Sequence, residues 1–312
     1  LVTKNYNVRA MCLYNSFNSW GWLDTIDKDI SKNIDIVLGD IRDIKSVTNA
    51  CRNVDIVIHL ASLIAIPHSY NSPYSYVSTN VEGTLNVLET CLNSDIERVI
   101  HTSTSEVYGD VIKMPISEKS LPYAKSPYAA SKIAADQLAQ SYYSSFGLPV
   151  SIIRPFNTYG PRQSNRAIIP TVITQLLLNK KKIQLGSLYP TRDFSFVKDT
   201  VRGFENSLHN NKSIGEIINI GSGYEVSIDD LVKILCKITG YYPDIVTDTK
   251  RVRPRKGEVF RLKADNKKAR DILKWQPEYN GKSGLIKGLR ETVEWFSNTK
   301  NLGKYKSDHY VK

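Results

Sequence analysis

Two rhythms alternate along the chain: short β-branched runs of strand length, and longer stretches whose apolar positions fall three and four residues apart. Residues 8–14, 34–38, 55–60, 98–102 and 149–154 read as strands. Between them, residues 73–93 read as one long helix with a stripe of Leu85, Leu88 and Leu92. A second helix starts at Ser126-Pro127, a serine N-cap followed by proline at the first helical position. Strands alternating with helices predict an α/β protein with a parallel sheet wound on both faces. From Phe156 the chain leaves that sheet, with a helix near 168–179 and strands at 183–186 and 192–197. Residues 198–209 and 216–220 return to it, and the remainder forms a smaller carboxyl-terminal α/β unit.

Composition narrows the class. At 312 residues with 41% apolar content, and without repeats or low-complexity tracts, the chain can bury a large core. Its net charge of +11 raises anionic partners, yet the basic residues are dispersed except at residues 250–256. A diphosphate ligand accounts for that cluster as well as RNA does. Cys12, Cys51, Cys91 and Cys236 lie far apart in apolar settings and read as reduced core residues of a cytoplasmic protein. The longest apolar run, 54–67, is interrupted by Asp55 and His59 and is too short to cross a bilayer, and no signal peptide is visible. His59 has no metal-spaced partner and reads as structural.

The candidate chemistry centres on residues 103–132. Tyr128 and Lys132, four apart on a helix, project from one face within reach of a shared ligand. An ammonium beside a phenol favours the phenolate, so Tyr128 is expected to serve as a base. Thr104, Ser105 and Glu106 stand at the carboxyl end of the strand over 98–102, where doubly wound sheets place ligands.

The run Ser-Thr-Ser-Glu-Val-Tyr-Gly at 103–109, followed by Tyr-x-x-x-Lys, resembles the nucleotide-sugar 4,6-dehydratases of the extended short-chain dehydrogenase/reductase family. The similarity spans almost the whole chain and includes residues 59–62, 79–84 and 154–163. It implies a Rossmann-like dinucleotide-binding domain over 1–167 with a return segment at about 197–222. The sugar nucleotide would then bind residues 168–196 and 223–312. It further implies that residues 8–14 are the second strand, preceded by the end of a helix at 1–7. The family's first strand and glycine-rich loop are absent here, so the amino terminus is expected to be incomplete.

By the same resemblance, Thr104, Ser105, Glu106, Tyr128 and Lys132 are catalytic, and NAD or NADP is the cofactor. Asp40 and Ile41 would lie at the adenine, and Leu60, Ala61 and Ser62 along the cofactor, with Asn80, Ser103 and Pro155 contributing. At the position of the usual ribose-binding acid stands Asn15, able to bond a hydroxyl or a phosphate, and the lack of an arginine directly after it leans to NAD. His68, Asn157, Arg162, Arg192 and Arg253 are the implied substrate contacts, with Arg253 at the diphosphate, while Arg255 and the nearby lysines read as a solvated face. Residues 14–24 resemble the N-acetylhexosamine 4,6-dehydratases of bacterial legionaminic acid pathways, which implies UDP- or GDP-linked N-acetylglucosamine as substrate. UDP-glucuronate decarboxylase and nucleotide-sugar 4-epimerase are the enzymatic rivals, and a non-catalytic dinucleotide-binding regulator or basic RNA-associated protein the non-enzymatic ones. The expected assembly is a homodimer through a four-helix bundle of the 73–93 and Tyr128 helices, with no nucleic acid, membrane or metal partner.

Overall fold

A computed structural model describes residues 1–305. In chain order the first part comprises β1 (Val8–Leu13), β2 (Ile34–Gly39), α1 (Ile44–Cys51), β3 (Ile56–His59), α2 (Gly83–Leu92), β4 (Arg98–Thr102), α3 (Pro127–Phe146) and β5 (Val150–Pro155). Next come β6 (Asn157–Tyr159), α4 (Ile168–Leu177), β7 (Lys182–Leu185), β8 (Thr191–Phe196), α5 (Val197–Ser207), β9 (Ile217–Ile220) and β10 (Glu225–Ser227). The chain continues through α6 (Ile228–Thr239), β11 (Asp244–Thr247), α7 (Lys267–Leu273) and α8 (Gly281–Ser297). Helical turns of six residues or fewer link several of these elements.

β3, β4, β5 and β9 form a parallel sheet in that order, and β1 pairs with β2 in a separate parallel ladder. Successive residues of the sheet serve opposite faces, the period-two consequence of strand geometry. Val99, Val150 and Ile152 pack with Val87, Leu88 and Ala139 from α2 and α3. Ile100, Ile153, Ile218 and Ile220 pack on the other side with Leu208, Leu273 and Trp275. Both faces are therefore covered, as the apolar runs predict. A third cluster joins α4, β7, β8, α6 and α8 around Leu231, Phe196 and Phe296.

The helix expected over 73–93 has a more particular form: an α-turn at Pro73–Tyr76, a π-helical stretch at Val77–Glu82, then α2. The widened turn holds Asn80, whose amide bridges Leu63 and Ser131. The expected leucine stripe divides. Leu88 is buried and Leu92 packs against the core, whereas Leu85 is 37% exposed. Residues 1–7 contain a single 3₁₀ turn at Val2–Lys4, closed by Asn5 in the left-handed region. All four cysteines are free. No helix among the described residues is long and apolar enough to span a membrane.

The return of the chain to the sheet is held by Asp193 of β8. Its completely buried carboxylate accepts from Ser222 N and Oγ, Gly223 N and Ala264 N at 2.5–3.0 Å. Asp193→Ala strands these donors. It is expected to reduce unfolding free energy by about 3–5 kcal/mol, measured by urea denaturation.

Candidate active site

The carboxyl ends of β3, β4 and β5 open into a cleft of about 640 Å³. α3 enters it with a defined start, since Ser126 Oγ accepts from Ala129 N at 3.1 Å and Pro127 occupies the first turn. Tyr128, Lys132 and Asp136 follow at four-residue spacing on the buried face of that helix. Beyond β4, Thr104 caps a 3₁₀ turn, Ser105–Tyr108, its hydroxyl accepting from Glu106 N at 3.2 Å. Gly109 ends the turn at φ 58, where an added Cβ would lie 2.3 Å from Tyr123 O, so only glycine fits. Glu106 and Tyr128 thus line one cleft, together with Thr104, Ser105, His68, Pro155 and Asn157.

Lys132 Nζ donates to Thr102 O at 2.5 Å, and burial lowers its pKa to about 8. Burial raises the pKa of Tyr128 above the ordinary phenol value, opposed by the Thr104 hydroxyl and reinforced by the charge of Glu106. The phenolate expected from the neighbouring Lys132 is therefore opposed by burial. Desolvation is the largest influence on the phenol and works against the phenolate.

Arg253 lies 3.5 Å from Glu106 Oε2 and 3.7 Å from Glu258 Oε1, while Arg192 donates to Glu258 Oε1 at 3.1 Å. The two arginines and two glutamates converge on one wall of the cleft. Sequence reasoning missed Glu258 and also Arg166, which lines the cleft four residues after Arg162. Neither carries a motif; Glu258 follows the basic cluster at 250–256, and no comparable signal surrounds Arg166.

Several expected ligand contacts have other engagements. Arg162 does not line the cleft. Its Nε donates to Thr25 at 3.4 Å and its guanidinium lies 5.8 Å over the Trp295 ring. Asn15 bonds within its own loop, to Leu13, Phe17 and Ser19. Asp40 forms a bidentate pair with Arg42, whose guanidinium lowers the carboxyl pKa. Ile41 packs against Gly83, and its carbonyl accepts from Asn86. Asn80 is enclosed and fixes the loop after β3 rather than reaching the cleft. Ser103 lines the cleft while donating to Asp136 at 2.7 Å. Leu60 and Ala61 are exposed at the end of β3, and Ser62 lines the cleft. His59, expected to be structural, bonds Thr84 Oγ1 at 2.9 Å. The Arg255 side chain lies outside the described residues.

The residues present fit a nicotinamide cofactor. Thr102 Oγ1 and Asn157 Oδ1 are buried polar atoms without a partner among the described residues, and both residues line the cleft with Tyr128. Small side chains at 61–62 leave the backbone there approachable.

A parallel sheet covered on both faces, with a Tyr-x-x-x-Lys helix at its carboxyl edge, defines a Rossmann-type NAD-dependent epimerase/dehydratase. The family model for GDP-mannose 4,6-dehydratase matches residues 1–287, and the chain belongs to that family. It is 33% identical to a putative UDP-glucose 4-epimerase of Methanocaldococcus jannaschii, over 96% of this chain and 93% of the relative. Identity to the dTDP-glucose 4,6-dehydratase of Streptomyces antibioticus is 32%, over 84% of this chain and 76% of that one. Among solved structures, a double mutant of the Streptomyces venezuelae dTDP-glucose 4,6-dehydratase DesIV with NAD bound superposes with a TM-score of 0.83. That match has 30% identity and covers 96% of this chain and 90% of the other. The UDP-glucose 4-epimerase of Thermotoga maritima gives a TM-score of 0.84 at 26% identity, covering 96% and 93%.

The depressed pKa of Lys132 has a stability consequence. The folded protein releases this proton near pH 8 and the unfolded chain near 10.4, so wild-type protein gains stability between those values. Lys132→Met, which lacks the buried charge, is expected to lose on the order of 3 kcal/mol of relative stability from pH 7.5 to 10.5. Parallel denaturation curves at the two pH values check the difference.

Proposed function

We propose that the protein catalyses 4,6-dehydration of a nucleotide-activated hexose, with UDP- or GDP-N-acetylglucosamine as the substrate. The observation that carries the reading is the convergence of Tyr128 and Glu106 on one cleft, with Arg253 beside Glu106. Residues 1–167 with the return segment 197–222 would hold the cofactor, and 168–196 with 223–312 the sugar nucleotide. Lys132 and Tyr128 would hold the nicotinamide ribose. Bound there, NAD would supply the acceptor for hydride from C4 of the sugar and its donor to C6, together with a positive charge that favours the phenolate. At the ribose, the lack of an arginine directly after Asn15 favours NAD over NADP.

Within this reading Tyr128 takes the proton of the 4-hydroxyl, which Thr104 orients. Oxidation at C4 acidifies the proton on C5, and Glu106 removes it. The same carboxyl, assisted by the Ser105 hydroxyl, protonates the departing 6-hydroxyl as water, and the return of hydride to C6 is matched by protonation of C5, which balances the proton that Tyr128 took from the 4-hydroxyl. The product is a 4-keto-6-deoxy sugar, and no net oxidation occurs. Arg192 and Arg253, with their planar guanidinium groups, suit the nucleotide and its diphosphate. His68 and Asn157 would face the sugar. The substrate assignment rests on the character of residues 14–24, where the dehydratase relatives above act on dTDP-glucose by name. The high similarity of two 4-epimerases favours epimerisation as the second reading.

Product mass decides among them, with the protein incubated with NAD and UDP-GlcNAc, GDP-GlcNAc, GDP-mannose or UDP-glucuronate. Loss of water supports dehydration; loss of carbon dioxide, or isomerisation without mass change, rejects it. Glu106→Gln is expected to show transient reduced cofactor yet no 6-deoxy product, while Tyr128→Phe should slow the first oxidation by about 10²–10⁴-fold. Full 6-deoxy product from the glutamine variant removes Glu106 from the reaction.

We also infer a homodimer through α2 and α3, which leave Leu85, Tyr143 and Phe146 exposed. Light scattering should return twice the chain mass, and a monomer overturns that part of the reading.

A further inference from the structure

The loop over residues 14–25 follows β1 and is stiffened by its own side chains. Asn15 Nδ2 donates to Ser19 O at 2.7 Å while its Oδ1 accepts from Phe17 N at 3.0 Å. Asp24 accepts from Ser19 Oγ at 2.5 Å and from Trp20 N at 3.0 Å, and Thr25 Oγ1 donates to Trp22 O at 2.8 Å. These bonds organise the short turn Gly21–Thr25 and deliver Trp22 to the carboxyl-terminal end of the molecule. The indole lies 5.6 Å from Trp295, edge to face, and 5.8 Å from Tyr305, while Lys304 lies 5.4 Å from its ring centre.

The same cluster grips the cleft wall from behind. Tyr305, packed 4.8 Å from Phe296, donates its hydroxyl to Gln163 O at 3.0 Å. Arg162, over Trp295 and bonded to Thr25, sits at φ 68, a backbone region that side chains other than glycine hold when surrounding contacts enforce it. Gln163 Nε2 then donates to Thr158 O at 2.8 Å, and Gln163, Ser164 and Arg166 line the cleft.

We propose that Trp22 is a positioning residue for the nucleotide sugar. Through Trp295 and Tyr305 it braces residues 162–167, so that Gln163 and Arg166 stand ready at the cleft wall. Affinity on the sugar-nucleotide side thereby depends on the order of a loop that belongs to β1. The physical basis is preorganisation: a long exposed arginine contributes to binding only when the backbone that carries it is already in place. This inference rests on the reading of the cleft as a nucleotide-sugar site.

The test titrates UDP, GDP and dTDP into wild-type protein, Trp22→Ala, Trp22→Phe and Tyr305→Phe by calorimetry, with the steady-state split of KM and kcat on the turned-over sugar nucleotide. Tyr305→Phe removes one partly buried hydroxyl and leaves the ring packing, so it reports on the brace even where Trp22→Ala unfolds. The expected result is an affinity loss of about five- to tenfold for Trp22→Ala, a smaller loss for Tyr305→Phe, and near-complete rescue by Trp22→Phe. KM should rise with kcat nearly unchanged. Wild-type binding that Trp22→Ala and Tyr305→Phe leave intact overturns the brace alone, as does a fall in kcat at constant KM. No binding of any of the three nucleotides by wild-type protein removes the nucleotide-sugar reading and the brace with it.

Discussion

The ion pair between Asp136 and Arg154, buried beneath the cleft, ties together the three segments that carry the candidate chemistry. Asp136 Oδ2 accepts from Arg154 Nε and Nη2 at 3.0 and 2.8 Å and from Ser103 Oγ at 2.7 Å, while Oδ1 meets His101 Nε2 at 3.2 Å. His101 and Ser103 flank Thr102, whose carbonyl accepts from Lys132. One carboxylate on α3 therefore clamps the end of β4 on either side of the carbonyl that orients the lysine. Arg154 extends the knot from β5, donating to Tyr108 OH, which donates in turn to Asn219. Removing one partner of such a buried pair costs about 3–5 kcal/mol, because the other charge is left without compensation in a medium that solvates it poorly.

The pair also keeps its charge where burial would otherwise neutralise it. Hydrogen bonding from His101 and the charge of Arg154 hold Asp136 below the usual carboxylate range against desolvation. His101 and His59, both enclosed, are pushed below the usual imidazole range by burial, which disfavours charge on either ring beside the ion pair. On the opposite wall, Arg192 and Arg253 are already desolvated and oriented by Glu106 and Glu258. Cations held this way lose little further freedom on meeting an anionic ligand, which is the general advantage of a preorganised site.

The strands of the sheet were legible because burial on both faces demands short continuous apolar runs, as in Val99-Ile100 and Ile152-Ile153, where neighbours serve opposite clusters. The start of α3 was legible because its cap is written in adjacent residues, Ser126-Pro127. The division of the leucine stripe was not. Leu85, Leu88 and Leu92 satisfy one helical period, but the π-helical turn before α2 and the single-sided packing on the sheet decide which of them is covered. Arg162 was placed at the substrate by resemblance alone, and the contacts it makes here could not be read locally, because Thr25 and Trp295 lie more than a hundred residues away in either direction.

What the sequence by itself determined is the part governed by local rules: strand and helix order, the α3 start, and Tyr128 and Lys132 on one helix face. Only the tertiary structure decided the charge states and the choice among like residues. Desolvation set against a few directed bonds raises Tyr128 and lowers Lys132, while hydrogen bonds hold Asn80 on Leu63 and Ser131, Asn15 within its own loop and Asp40 on Arg42. Those outcomes depend on the dielectric and the partners at each point in space, and chain separation carries no record of either.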